Sequence, residues 1–276
     1  MMKKRFLSIL LAVCMGAAIV CAGAVPAGAA NSYGPPANLD QLSEAEQLAY
    51  FNLVVNRVRA ERPAFEQSQR LQLESFVLSL SGLQSLLDQI LADLMPGVWE
   101  QCTVAGGQSN RGLFLSNNEN ASDLRLQDIA SIRSEKQGAN WVISLQIPEE
   151  INPALGINSA NGRIARISSR EQILGEFYDL FTVDPADMTL RYYDGFAEVT
   201  VNSQGQVIVA ENGVRLHAQV SNARVAIFFS TDIELERNAQ WKYINFDWPS
   251  PPWWSTLSPI LQFLLRWFCF GWLWMK

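Results

Sequence analysis

The sequence predicts an α+β fold: an N-terminal helical hairpin packed on an antiparallel β-meander, plus a C-terminal hydrophobic helix. Three observations carry this. A capping signature leads into apolar residues at helical spacing near residue 43. A 4-3-4-3-4 apolar repeat comes next. From Leu190 onward, apolar residues alternate with polar ones and turn residues interrupt the alternation.

Residues 31–42 form a short lead. Ser43 and Glu46 stand three apart, the spacing at which a hydroxyl and a carboxylate each satisfy the other's backbone N–H. Leu48, Phe51, Val55 and Val58 then share a helical face, and Pro63 ends the helix because it lacks a backbone donor. Phe76, Leu80, Leu83, Leu87, Ile90 and Leu94 predict a second helix, stopped by Pro96-Gly97. The period then changes. A strand near Ile129–Glu135, a turn at Gln137–Asn140 and a strand through Trp141, Ile143, Leu145 and Ile147 form one hairpin. Arg170–Phe181 is a short helix with Ile173, Leu174, Phe177 and Phe181 on one side. Ala197, Val199 and Val201 alternate up to a turn at Ser203–Gln206, and turns at Asn212-Gly213 and Ser221-Asn222 separate further strands. Ile233, Leu235, Trp241 and Tyr243 close the meander. One α+β domain over 43–247 is expected, with helices to about residue 95 and mostly strands from about 98.

The two ends are distinctive. Lys3, Lys4 and Arg5 precede an apolar run, and Ala27-Gly28-Ala29 offers small residues for cleavage; residues 1–30 have the layout of a secretory signal peptide. Losing three basic residues there takes the net charge from −6 to −9, and an acidic surface disfavours nucleic acid as a partner. After Pro-rich residues 248–252, residues 253–276 are almost wholly apolar. Trp253 and Trp254 stand at one end, and Trp272 and Trp274 at the other. As a helix, Trp254 to Trp272 spans about 27 Å, close to the hydrocarbon core of a bilayer, with tryptophans at both interfaces. Arg266 is near enough to one end to snorkel, and Lys276 would be the cytoplasmic end. The tail is therefore expected to anchor the chain to membrane lipid at the outer face of the cytoplasmic membrane; because Ser255, Ser258, Gln262 and Arg266 share one helical stripe, a helix lying in the interface and a core helix are the alternatives to a spanning one.

No catalytic residue or metal ligand set emerges, and no cofactor is expected. His217 is the one histidine, placed at solvent-facing parity in its strand. Cys102 is the one cysteine between signal peptide and tail, and stands after Trp99 as a buried, inert thiol would. "VAGGQSNRG" matches no phosphate-binding loop, and Asp184-Pro185-Ala186-Asp187 suits a turn better than a carboxylate pair. Glu149 and Glu150 are expected to face solvent. Two carboxylates brought together by the fold would suffice for a glycoside hydrolase, and this is the alternative to a binding role.

Three stretches carry a resemblance: "AYFNLVVNRVRAERPAF" (Ala49–Phe65), "AEVTVNSQGQVIV" (Ala197–Val209) and "FGWLWMK" (Phe270–Lys276). Together with the signal peptide they resemble uncharacterised exported proteins of Gram-positive anaerobic bacteria. The resemblance implies a surface or secreted protein, and it brings no catalytic residues. No LPxTG precedes the tail, so covalent wall attachment is not implied. The expectation is a tethered, non-enzymatic domain that binds an apolar ligand or a protein partner.

Overall fold

Ser43 caps the first helix, α1 (Glu44–Glu61), as its spacing predicts. Its hydroxyl accepts from the Glu46 backbone N–H, and the Glu46 carboxylate accepts from the Ser43 backbone N–H at 3.0 Å. Arg62 ends the helix in the left-handed conformation, and Pro63 prevents its resumption. A computed structural model of the chain describes residues 33–79, 96–110, 114–115, 122–177, 182–225 and 229–249. Gly34–Pro249 form one compact unit.

The chain leaves α1 as a strand, not as a second helix. β1 runs Ala64–Leu78, and Phe76, the first rung of the 4-3 repeat, lies in it. The remaining rungs, Leu80 to Leu94, lie outside the described residues. The helical hairpin is therefore overturned. The described residues are mainly β, with eight strands in one antiparallel sheet and a single long helix against it. β1 is extended because its backbone is paired on both sides, by β2 (Pro96–Val104) and by β8 (Phe229–Asp247). A spacing of three and four does not outweigh two ladders of backbone hydrogen bonds.

β3 (Ser131–Gln137) and β4 (Asn140–Ile147) form the hairpin read from the sequence, with Gly138 in the left-handed region at its turn. A two-residue strand, β5 (Glu150–Ile151), pairs with β6 (Met188–Val201). β6, β7 (Val207–Val225) and β8 are a true meander, giving the order β2-β1-β8-β7-β6-β4-β3. The turn at Asn212-Gly213 does not exist, because β7 runs straight through it. Ser221-Asn222 is a bulge within the same strand, with Asn222 in the left-handed region.

One face of the sheet is covered. Across it, cross-strand partners align into rows such as Ile143–Val199–Ala210–Tyr243 and Leu190–Ala218–Leu235–Phe76. α1 lies on the β3–β7 part of this face, burying Leu48, Phe51, Val54, Val55 and Val58. Gln47 is buried with them and accepts a 2.7 Å hydrogen bond from the Ser134 hydroxyl. Beyond the end of α1, Phe65, Phe114, Tyr243 and Phe246 form a cluster with ring centroids 5.1–5.9 Å apart. A bulge at Asn245, also left-handed, returns Phe246 to the covered face. The other face is polar and half-exposed.

Candidate functional site: an apolar cavity under α3

The chain between β5 and β6 crosses the covered face beyond α1. Two short helices shape it: α2 (Ala160–Ile164) and α3 (Arg170–Phe177). Glu150 holds α2 by its N-terminus. Its carboxylate accepts from the Ala160 N–H at 3.0 Å, the Asn161 N–H at 2.9 Å and the Asn161 side-chain amide at 2.8 Å. Glu150 is thus a capping group rather than the solvent-facing residue expected, because orphan N–H groups at a helix start draw a carboxylate. Glu149 does face outward, paired with Arg191 at 2.8 Å.

The next loop is pinned to the sheet by Tyr192. Its buried hydroxyl donates to the Ser168 carbonyl at 2.8 Å and accepts from the Ser168 N–H at 2.9 Å. Ser169 then caps α3, accepting from the Gln172 N–H at 3.2 Å while Gln172 accepts from the Ser169 N–H at 2.9 Å. This fixed start sets α3 over the sheet, with Ile173 buried and Leu174 half-buried, as the sequence predicts for that side of the helix.

Between α3 and the sheet lies an apolar cavity of about 410 Å³, its open mouth included. Its floor is two adjacent rows, Met188–Val220–Ile233 and Ala218–Leu235–Phe76. Ile173, Leu174 and Val183 complete the wall. No lining residue carries a charge or a hydrogen-bonding side chain. Such a site can exclude water and hold a hydrocarbon; it cannot move a proton. The room inside for the centre of a water-sized sphere is only about 20 Å³, so the walls must part to admit a ligand larger than water.

No protein-family model, no curated protein and no solved structure matches this chain. Geometry alone therefore speaks for function.

The other sequence candidates fall elsewhere. His217 sits on the open face, its cross-strand neighbours being Arg191 and Glu236. Cys102 lies on edge strand β2 and is exposed, not buried, because β2 has no neighbour on its outer side among the described residues and nothing there covers the thiol. Asp184 caps a 3-10 turn through the Ala186 N–H at 2.9 Å, the ordinary turn expected. Gly107 belongs to a loop that closes α1, donating to the Arg62 carbonyl at 2.8 Å. Trp253, Trp254, Arg266, Trp272, Trp274 and Lys276 lie outside the described residues, as does the signal peptide. Among the described residues no helix is long and apolar enough to cross a membrane, and no cluster of three or more His, Cys, Asp or Glu is placed to hold a metal.

Carboxylates do meet on the open face. Glu74 accepts from Arg215 and, at 3.3 Å, from the Asn238 amide; Glu236 accepts from the Tyr193 hydroxyl. Tyr193 lies between two guanidiniums, Arg191 at 4.9 Å and Arg215 at 5.5 Å from its ring. Burial, then the hydrogen bond to Glu236, pushes its hydroxyl up to about 12. These acids are tied to partners on an open sheet face. The concave pair that a glycosidase needs is absent from the cavity wall.

The sequence placed Ile173 and Leu174 on one side of a helix and Ile233 and Leu235 on a strand, but nothing in it marked them, or Met188, Ala218 and Val220, as the wall of a cavity. An apolar ligand site has the same composition as a core, so only the unfilled space separates the two.

Proposed function

We propose that this chain is an extracytoplasmic binding domain that holds a small apolar ligand beneath α3 and is tethered to membrane lipid by residues 253–276. The observation that carries the binding reading is the wholly apolar cavity at the β1–β8–β7–β6 end of the covered face. The tether and export rest on the ends of the sequence, and the absence of charge in the cavity favours binding over hydrolysis.

The test is a fluorescence titration of the full chain with N-phenyl-1-naphthylamine, an uncharged apolar dye, and then displacement with decanol. Saturable enhancement, lost when Ala218→Leu fills the floor, supports the reading. Tyr192→Phe, which releases one tie on the α3 loop, should weaken dye binding severalfold. The proposal fails if binding does not saturate, or if folded Ala218→Leu binds as the parent does.

A further inference from the structure

A second cavity lies on the covered face at its other margin, where β1 and β2 carry the sheet beyond α1. It too encloses about 410 Å³ with its mouth, but its wall is polar: Gln67, Gln69, Glu100, Gln101, Cys102 and, from the loop after α2, Arg166. Two cross-strand pairs build it. Gln67 faces Cys102, and Gln69 faces Glu100, donating to its carboxylate at 2.7 Å. In the neighbouring strand Trp241 stands opposite Gln69, so an indole adjoins the polar wall.

Gln67 is the telling residue. It is only 4% exposed, yet the sole hydrogen-bonding contact of its side chain among the described residues is a 3.8 Å approach of the Cys102 thiol to Oε1. Its Nε2 donates to nothing there. Its unused donors open into the cavity and are met by whatever fills it.

The wall selects its ligand by charge. One acid, Glu100, and one base, Arg166, leave the wall without net charge, so it gives no net attraction to an anion or a cation. Side-chain amides offer donors and acceptors side by side, the pattern that matches hydroxyl groups, each of which both donates and accepts. We propose that this pocket binds a small neutral polyhydroxylated ligand of the saccharide class. Gln67 and Glu100 contact its hydroxyls, and the site is separate from the apolar cavity.

Cys102 supplies a local probe, since its exposed thiol lines the pocket. The full chain is alkylated with N-ethylmaleimide alone or with 10 mM maltose, cellobiose or diacetylchitobiose, and modification of Cys102 is tracked by peptide mass spectrometry. At least one neutral disaccharide should slow alkylation about fivefold or more, while galacturonate and glucosamine do not. Gln67→Leu should abolish protection, read as the ratio of rates with and without sugar, because losing the Cys102 contact also alters the rate in sugar-free buffer. Glu100→Gln, at an exposed position, should reduce protection to below about twofold and serves if Gln67→Leu does not fold, since hydrogen bonds to charged groups are the stronger ones. The proposal is overturned if no disaccharide protects, if charged analogues protect equally, or if protection survives both substitutions.

Discussion

The Trp248 indole donates through Nε1 to the Val207 carbonyl at 2.9 Å, so the Pro-rich stretch after β8 begins inside the domain. Phe246 stacks on the same indole at 6.4 Å, and the Arg57 guanidinium lies 5.2 Å from its ring. Trp248 therefore packs against the domain at the start of the expected linker. Trp248→Ala should lower stability by about 1–3 kcal/mol, from lost packing and a lost hydrogen bond. Urea unfolding of the parent and the variant measures it.

Fixing Trp248 also fixes where any tether starts. If residues 253–276 anchor the chain, the full protein resists carbonate and is released by detergent, whereas a chain ending at 252 is recovered as a soluble folded domain. Full-length protein released by carbonate alone would rule out the anchor.

The capping box of α1 makes a prediction with a pH signature. Ser43→Ala should cost about 1 kcal/mol. Hydrogen bonds from the Ser43 side chain and backbone hold the Glu46 carboxyl below its ordinary value. A depressed carboxyl contributes stability that is present above the unfolded pKa, about 4.3, and is lost as pH falls through the lower folded value. The difference in melting temperature between parent and Glu46→Gln should therefore be visible at pH 7 and close under acid.

Two tyrosines act at the opposite end of the scale. Burial raises the Tyr243 hydroxyl, although its hydrogen bond from the Leu115 N–H pulls the other way, and Tyr193 is pushed up to about 12. Their contribution is whole below the unfolded value near 10 and is lost as pH rises through the folded one. Stability should fall above about pH 10, and less steeply in Tyr243→Phe. Denaturant titrations between about pH 9 and 12 would show it.

Gly213 explains one misreading and offers a further test. Asn-Gly between alternating residues is a strong hairpin signal, but Gly213 lies in β7 without positive φ. It is glycine because a Cβ would sit 2.7 Å from Phe196 Cε1 and 3.0 Å from the Ala239 carbonyl. Asn212 turns inward and donates to the Ile164 carbonyl, tying α2 to the sheet. Gly213→Ala should destabilise by about 1–3 kcal/mol in thermal or denaturant unfolding.

The same contest between local signal and distant contact decides which elements are legible in the sequence. α1, the β3–β4 hairpin and the inward parity of Ala197, Val199 and Val201 could be read because their signals are local and their buried faces apolar. β1 could not. Its covered-face positions include Gln67 and Gln69, so no apolar alternation marks the strand where it lines the polar cavity. The property that makes it a candidate site erased its sequence signature. Asn212 shows the complementary failure, where a local turn signal serves a contact 48 residues away.

The place of β1 between β2 and β8 has a kinetic cost. Its side-chain contact from Asn238 to Glu74 closes a loop of 164 residues, and β1 cannot be enclosed until β8 reaches it. β2 follows soon enough to pair with one side of β1, but the other side waits for a partner from the far end of the domain. Loop-closure entropy must be met before the β1–β8 ladder forms, which places folding among slow, high-contact-order sheets on a millisecond-to-second scale. Enclosure of β1 is a late event, and a nascent chain carries one side of that strand unpaired through almost its whole synthesis.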